Sequence, residues 1–113
     1  MGLGNGNGRR NGRMKKAIER VAREIYDRFR PRRVLLCGSY AYGRPDRDSD
    51  VDLLVILDGN KSNMRRALEI SRAISHPFPM DLVVLKPSDV RRRLDGGDLV
   101  LREMLEKGKE LAR

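Results

Sequence analysis

The chain has 113 residues, a length for one domain rather than two. Its single cysteine, Cys37, excludes an intramolecular disulfide and a cysteine-clustered zinc site, and it points to a reducing, cytoplasmic setting. The net charge of +9, from 25 Lys+Arg against 16 Asp+Glu, suits polyanionic partners: nucleic acid, nucleotides or an acidic protein. No run approaches the ~18 apolar residues of a membrane span, and no apolar h-region follows the early charges. Neither membrane insertion nor secretion is therefore expected. Three Tyr, two Phe and no Trp offer little for base stacking, so RNA binding by stacking is disfavoured.

Residues 1–13 (MGLGNGNGRRNGR) carry only Met1 and Leu3 as sizeable apolar groups. That composition predicts a disordered basic tail, with the domain over 14–113. Met14, Ile18, Val21, Ile25 and Phe29 recur at helical spacing and predict a helix over 14–30, stopped by Pro31. RVLLC, 33–37, has strand length, and Gly38-Ser39 marks a turn after it. Residues 43–49 (GRPDRDS) are turn chemistry, and DVDLLVIL, 50–57, predicts a buried strand. Ser62 is placed to cap a helix over about 63–75, which His76-Pro77-Phe78-Pro79 breaks. MDLVVL, 80–85, predicts a third strand. Helical stretches follow over 87–94 and 98–107, interrupted by Gly96-Gly97, with Gly108 as a stop. Residues 109–113 read as a short extra strand or a frayed end. Such an order implies an α/β (α+β) domain, with a small mixed sheet and helices mainly on one face.

The informative stretch is GSYAYGRPDRDSDVDL, 38–53. Strand alternation puts Asp50 and Asp52 on one side and Val51 and Leu53 on the other. Two carboxylates within ~7 Å repel unless a cation lies between them. Oxygen donors with no His or Cys nearby suit Mg²⁺ or Mn²⁺. If 80–85 pairs beside 50–57, Asp81 joins them, and three acids at adjacent strand ends can hold two metal ions for phosphoryl displacement. By itself an Asp-x-Asp is more often turn capping or a solvated edge than a metal site. Gly38-Ser39 adds close backbone approach and a hydroxyl, which suits a triphosphate.

A strand, Gly-Ser, ten residues and Asp-x-Asp together resemble the signature of the DNA polymerase β-like nucleotidyltransferase superfamily. The length and the form GSYAYG…SDVDLLV resemble its minimal nucleotidyltransferases, which include antitoxin partners of HEPN-domain ribonucleases. The resemblance covers about residues 14–112. It implies the polymerase β-like fold, with Asp50, Asp52 and Asp81 as catalytic metal ligands and Gly38 and Ser39 as nucleotide-binding residues. It further implies two Mg²⁺ ions, ATP as substrate and transfer of AMP to an acceptor hydroxyl on a protein. The expected partner is a HEPN-domain protein or a second copy in a homodimer. Nucleic acid is possible through the basic tail but not favoured. Many relatives have a basic residue where this chain has Tyr42; Arg44 and Arg47 are nearby substitutes. Ser49 precedes the first acid as a turn or capping group.

Asp46 and Asp48 are read as loop solvation rather than ligands. Cys37 is read as core and His76 as structural. Tyr40 and Tyr42 either line the nucleotide pocket or pack. Arg91-Arg92-Arg93 is by default a solvated surface. Two rival readings are nucleotidylation of a small molecule, as in relatives that modify aminoglycosides, and a catalytically silent module that binds nucleotide, nucleic acid or a toxin.

Overall fold

The computed structural model describes residues 2–43, 45 and 49–112, with side chains from residue 12 onward. Arg44, Asp46, Arg47 and Asp48 lie outside the described residues, and with them the readings of phosphate contact and loop solvation.

Helix α1, Gly2–Phe29, places Ile18, Val21, Ala22 and Ile25 in the core. Its end follows from local chemistry. Arg30 adopts φ 51°, its N–H still reaches the Tyr26 carbonyl at 2.9 Å, and Pro31 cannot continue the helix. The helix starts at Gly2, not at Met14. Residues 2–13, expected to be disordered on composition, thus have helical backbone. No proline interrupts them, and propagating a packed helix is easier than nucleating one. The packing expectation holds at the side-chain level: of the described α1 side chains, Met14 is the first to meet the core.

Four strands follow: β1 Arg33–Cys37, β2 Val51–Ile56, β3 Met80–Leu85 and β4 Lys109–Ala112. They form one mixed sheet in the order β3-β2-β1-β4. β1 lies antiparallel to both β2 and β4, whereas β2 and β3 are parallel. Parallel neighbours need a crossover. Helix α3, Asn63–Ala73, supplies it, and the Ser62 hydroxyl accepts the Arg65 N–H at 3.2 Å to cap its start. A short helix α2, Gly38–Tyr42, replaces the simple turn expected after β1. Gly43 closes it in the left-handed region, at φ 78°. Helices α4, Pro87–Asp95, and α5, Leu99–Lys107, are separated at Gly96-Gly97 as the sequence implied. Asp98 caps α5 by accepting the Leu101 N–H at 2.9 Å.

Alternation along the strands splits the apolar residues between two cores. Val34, Leu36, Val51, Leu53, Val55 and Val84 face α1 and α3 in the larger one. Leu35, Cys37, Leu54, Ile56 and Leu85 face the other way, under α4 and α5 around Leu101. This second cover is shorter, and it leaves one end of its face open.

Candidate active site

The open end is where β1 finishes and β2 and β3 begin. In the antiparallel register Cys37 stands opposite Asp52, so the residue after β1, Gly38, lies against the start of β2. In the parallel register Asp52 stands beside Asp81. The two registers explain the spacing in the sequence. They bring Gly38, Asp52 and Asp81 to one place, two of them separated by 43 positions in the chain.

Gly38 has φ +69°, which L side chains rarely adopt. A Cβ there would collide with the Asp52 Oδ2 atom and lie 3.2 Å from its Cγ. The glycine is thus required twice, by the backbone turn into α2 and by the approach of the carboxylate. Asp52 is partly buried, and its pKa is raised above the ordinary aspartate value. Burial is the largest cause, followed by the charges of Asp81 and Asp50 and then a side-chain hydrogen bond with Asp81. The same crowding reaches the neighbouring thiol. Burial, with a contribution from Asp52, pushes Cys37 up to about 11. Cys37 is buried in the second core, as its sequence position implied.

Asp52 and Asp81 form one wall of a groove of about 380 Å³, within the size range of small-ligand sites. Gly38, Tyr42 from α2, Val83, and Val100, Glu103 and Met104 from α5 also line it. Asp50 sits two residues before Asp52, exposed and within electrostatic reach of it. Ser39 follows Gly38 in the first turn of α2. Among the described residues no three His, Cys, Asp or Glu side chains converge as a ready-made metal cage. Asp52 and Asp81 meet; Asp50 flanks them. The donors are nonetheless all carboxylate oxygens, and burial with the charges of Asp81 and Asp50 raises the proton affinity of Asp52. A hard divalent cation fits such a set, because it would relieve the repulsion that now favours the proton.

Other sequence readings resolve. Tyr40 packs against the larger core, whereas Tyr42 is 45% exposed at the groove. His76 Nδ1 donates to the Phe78 carbonyl at 3.0 Å, a structural role. Arg92 and Arg93 pair with Asp89 and Asp98 at 3.0 and 2.9 Å on the surface. The α5 residues of the groove were not foreseen. No local pattern marks them, because their place depends on how α5 lies across the sheet.

A glycine turned against a strand carboxylate, with a second carboxylate in register on the next strand, is an arrangement that suits a bound metal–phosphate group. The comparisons agree. Residues 16–110 match the nucleotidyltransferase domain family, and the chain belongs to it. The crystal structure of a "putative nucleotidyltransferase" from Sulfolobus solfataricus is similar at 27% identity and a TM-score of 0.58, covering 73% of this chain and 75% of that one. Among curated proteins none matches significantly.

Proposed function

We propose that the groove transfers a nucleoside monophosphate, AMP from ATP, to an acceptor hydroxyl on a protein. The observation that carries this reading is the in-register Asp52–Asp81 pair against the Gly38 turn. Asp50 and Asp52, with Asp81, would hold Mg²⁺ ions. Bound there, the ions supply charge neutralisation of the triphosphate and a Lewis acid at the reacting phosphorus. Gly38 leaves room for a phosphate to approach the backbone, and Ser39 adds a hydroxyl beside it. The acceptor oxygen bonds to the α-phosphorus as the bond from that phosphorus to the β-bridging oxygen breaks. Pyrophosphate leaves with the bridging oxygen's electron pair. The acceptor proton passes to Asp81.

The acceptor surface comes from a partner, for which a HEPN-domain protein is the first candidate, in a toxin–antitoxin pair. Support for a protein acceptor is the resemblance of GSYAYG…SDVDLLV to the minimal nucleotidyltransferases, which include partners of HEPN-domain ribonucleases. The test incubates the chain with α-³²P-ATP and Mg²⁺, with and without that partner, alongside Asp50→Asn. Label on the partner that the mutant loses supports protein adenylylation. Mg²⁺-dependent ATP binding with no label on the partner overturns the acceptor assignment. Absence of both overturns the transferase reading.

A further inference from the structure

The charge of this chain is unevenly matched. Arg32, Arg33, Lys61, Arg66, Arg93 and Lys107 each hold a carboxylate within 4.0 Å. Helix α1 is different. Arg13, Lys16, Arg20 and Arg23 recur at intervals of three and four residues, so they share one side of the helix. All four are exposed. Among the described residues, none of them is in an ion pair, although Glu19, Glu24 and Asp27 lie on the same helix, the last two on the side of the row. Like charges at these spacings oppose helix formation. Among the described residues, this row of four has no carboxylate within 4.0 Å.

We propose that this row is a docking track for the sugar-phosphate backbone of a nucleic acid. Ten residues of helix extend ~15 Å. Phosphates follow one another every ~3.4 Å along one strand of a duplex, so the row spans about four of them. A groove of about 740 Å³ between α1 and β4 adjoins it, lined by Arg20, Arg23, Lys15 and Lys109 together with Glu19, Asp27 and Glu110. Glu110 is already neutralised by Arg33 at 2.9 Å. In the sequence Arg9 and Arg10 precede the row, and no acid stands before Glu19. A membrane surface is a poorer fit, because the apolar side of α1 is buried and no large apolar residue of its described part is exposed. The track lies on the sheet face opposite Asp52 and Asp81. It binds independently of the transfer site, and it does not depend on the function proposed there.

The test measures fluorescence anisotropy of labelled single-stranded RNA and duplex DNA with the full chain, between about 50 and 200 mM salt. Four phosphate contacts give a log–log slope of about −3 on single strands, or about a fiftyfold loss across that range. Lys16→Glu/Arg20→Glu should bring the slope to about −1.5 or shallower. Lys16→Gln/Arg20→Gln should do the same, and it guards against a fold effect of charge reversal. Each variant's melting curve reports folding. Arg91→Glu/Arg102→Glu, exposed cations elsewhere, and Asp52→Asn should leave the slope unchanged. The ratio of the two probes tells which backbone is preferred. No binding at the lowest salt, or binding that both α1 variants retain, overturns the proposal. So does equal affinity for polyglutamate, or binding confined to phosphatidylserine vesicles.

Discussion

The two faces of the sheet are built from the same strands but are put to different use. On the face under α1 and α3, Val51, Leu53 and Val55 are fully buried, and among the described residues no charged group is buried. On the other face, α4 and α5 cover Leu54 and Ile56 but stop short of the start of β2. Asp52 occupies the uncovered position and Asp81 the position beside it. Residues next to each other in sequence, Asp52 and Leu53, thus belong to opposite regimes. One is crowded by like charge in a groove; the other is packed in the core. The contrast teaches that the site arises where helical cover ends, with the covered face holding the strands in register.

The largest effect on folding should come from the covered face. Leu53→Ala removes a fully buried side chain and should lower stability by about 2–5 kcal/mol in chemical denaturation. A loss below about 1 kcal/mol would break the comparison. Gly38→Ala comes next. It forces a left-handed alanine, costing about 1–2 kcal/mol, and drives its Cβ into the Asp52 carboxylate. It should therefore weaken nucleotide binding beyond what its stability loss explains, as titration calorimetry would show. Ser62→Ala, remote from both, should cost about 1 kcal/mol through the α3 cap and leave nucleotide binding unchanged.

A smaller effect sharpens the comparison through pH. Asp52 titrates above its unfolded value, so the native state keeps a proton there that the unfolded state has lost. Its contribution to stability is therefore lost as pH rises from the ordinary aspartate value through the raised one. Asp89 and Asp98 behave oppositely. Asp89 is lowered chiefly by its hydrogen bond from Asn63, and Asp98 by the Leu101 N–H. Their contribution is present above the ordinary value and lost as pH falls through the lowered ones. Denaturation curves of wild type and Asp52→Asn across this acid range should differ by a gap that favours the mutant increasingly as pH rises. A constant gap would contradict the crowding.

Much of the site was legible because strand alternation is local. It put Asp50 and Asp52 on one side and offered Asp81 as their neighbour. The parallel pairing that realises this neighbour relation depends on α3 crossing over, which the chain order allowed without requiring. Other features were hidden because their causes are not local. The short α2 depends on Gly38 turning against Asp52, a contact between strands. The groove wall of Val100, Glu103 and Met104 depends on the lie of α5. Helical backbone over 2–13 runs against a composition of Gly, Asn and Arg, and only its continuity with the packed part of α1 accounts for it. Cys37 was easier: a small apolar-like residue ending a buried strand has few other roles.

The central claim is that Asp52 and Asp81 are held together for a cation and a nucleotide, at a cost to the empty protein. Mg²⁺-ATP binding measured by calorimetry, paired with the denaturation midpoint of Asp52→Asn, tests it most directly. The account predicts a mutant at least as stable as wild type that no longer binds Mg²⁺-ATP. A mutant that is destabilised and still binds it would contradict the account.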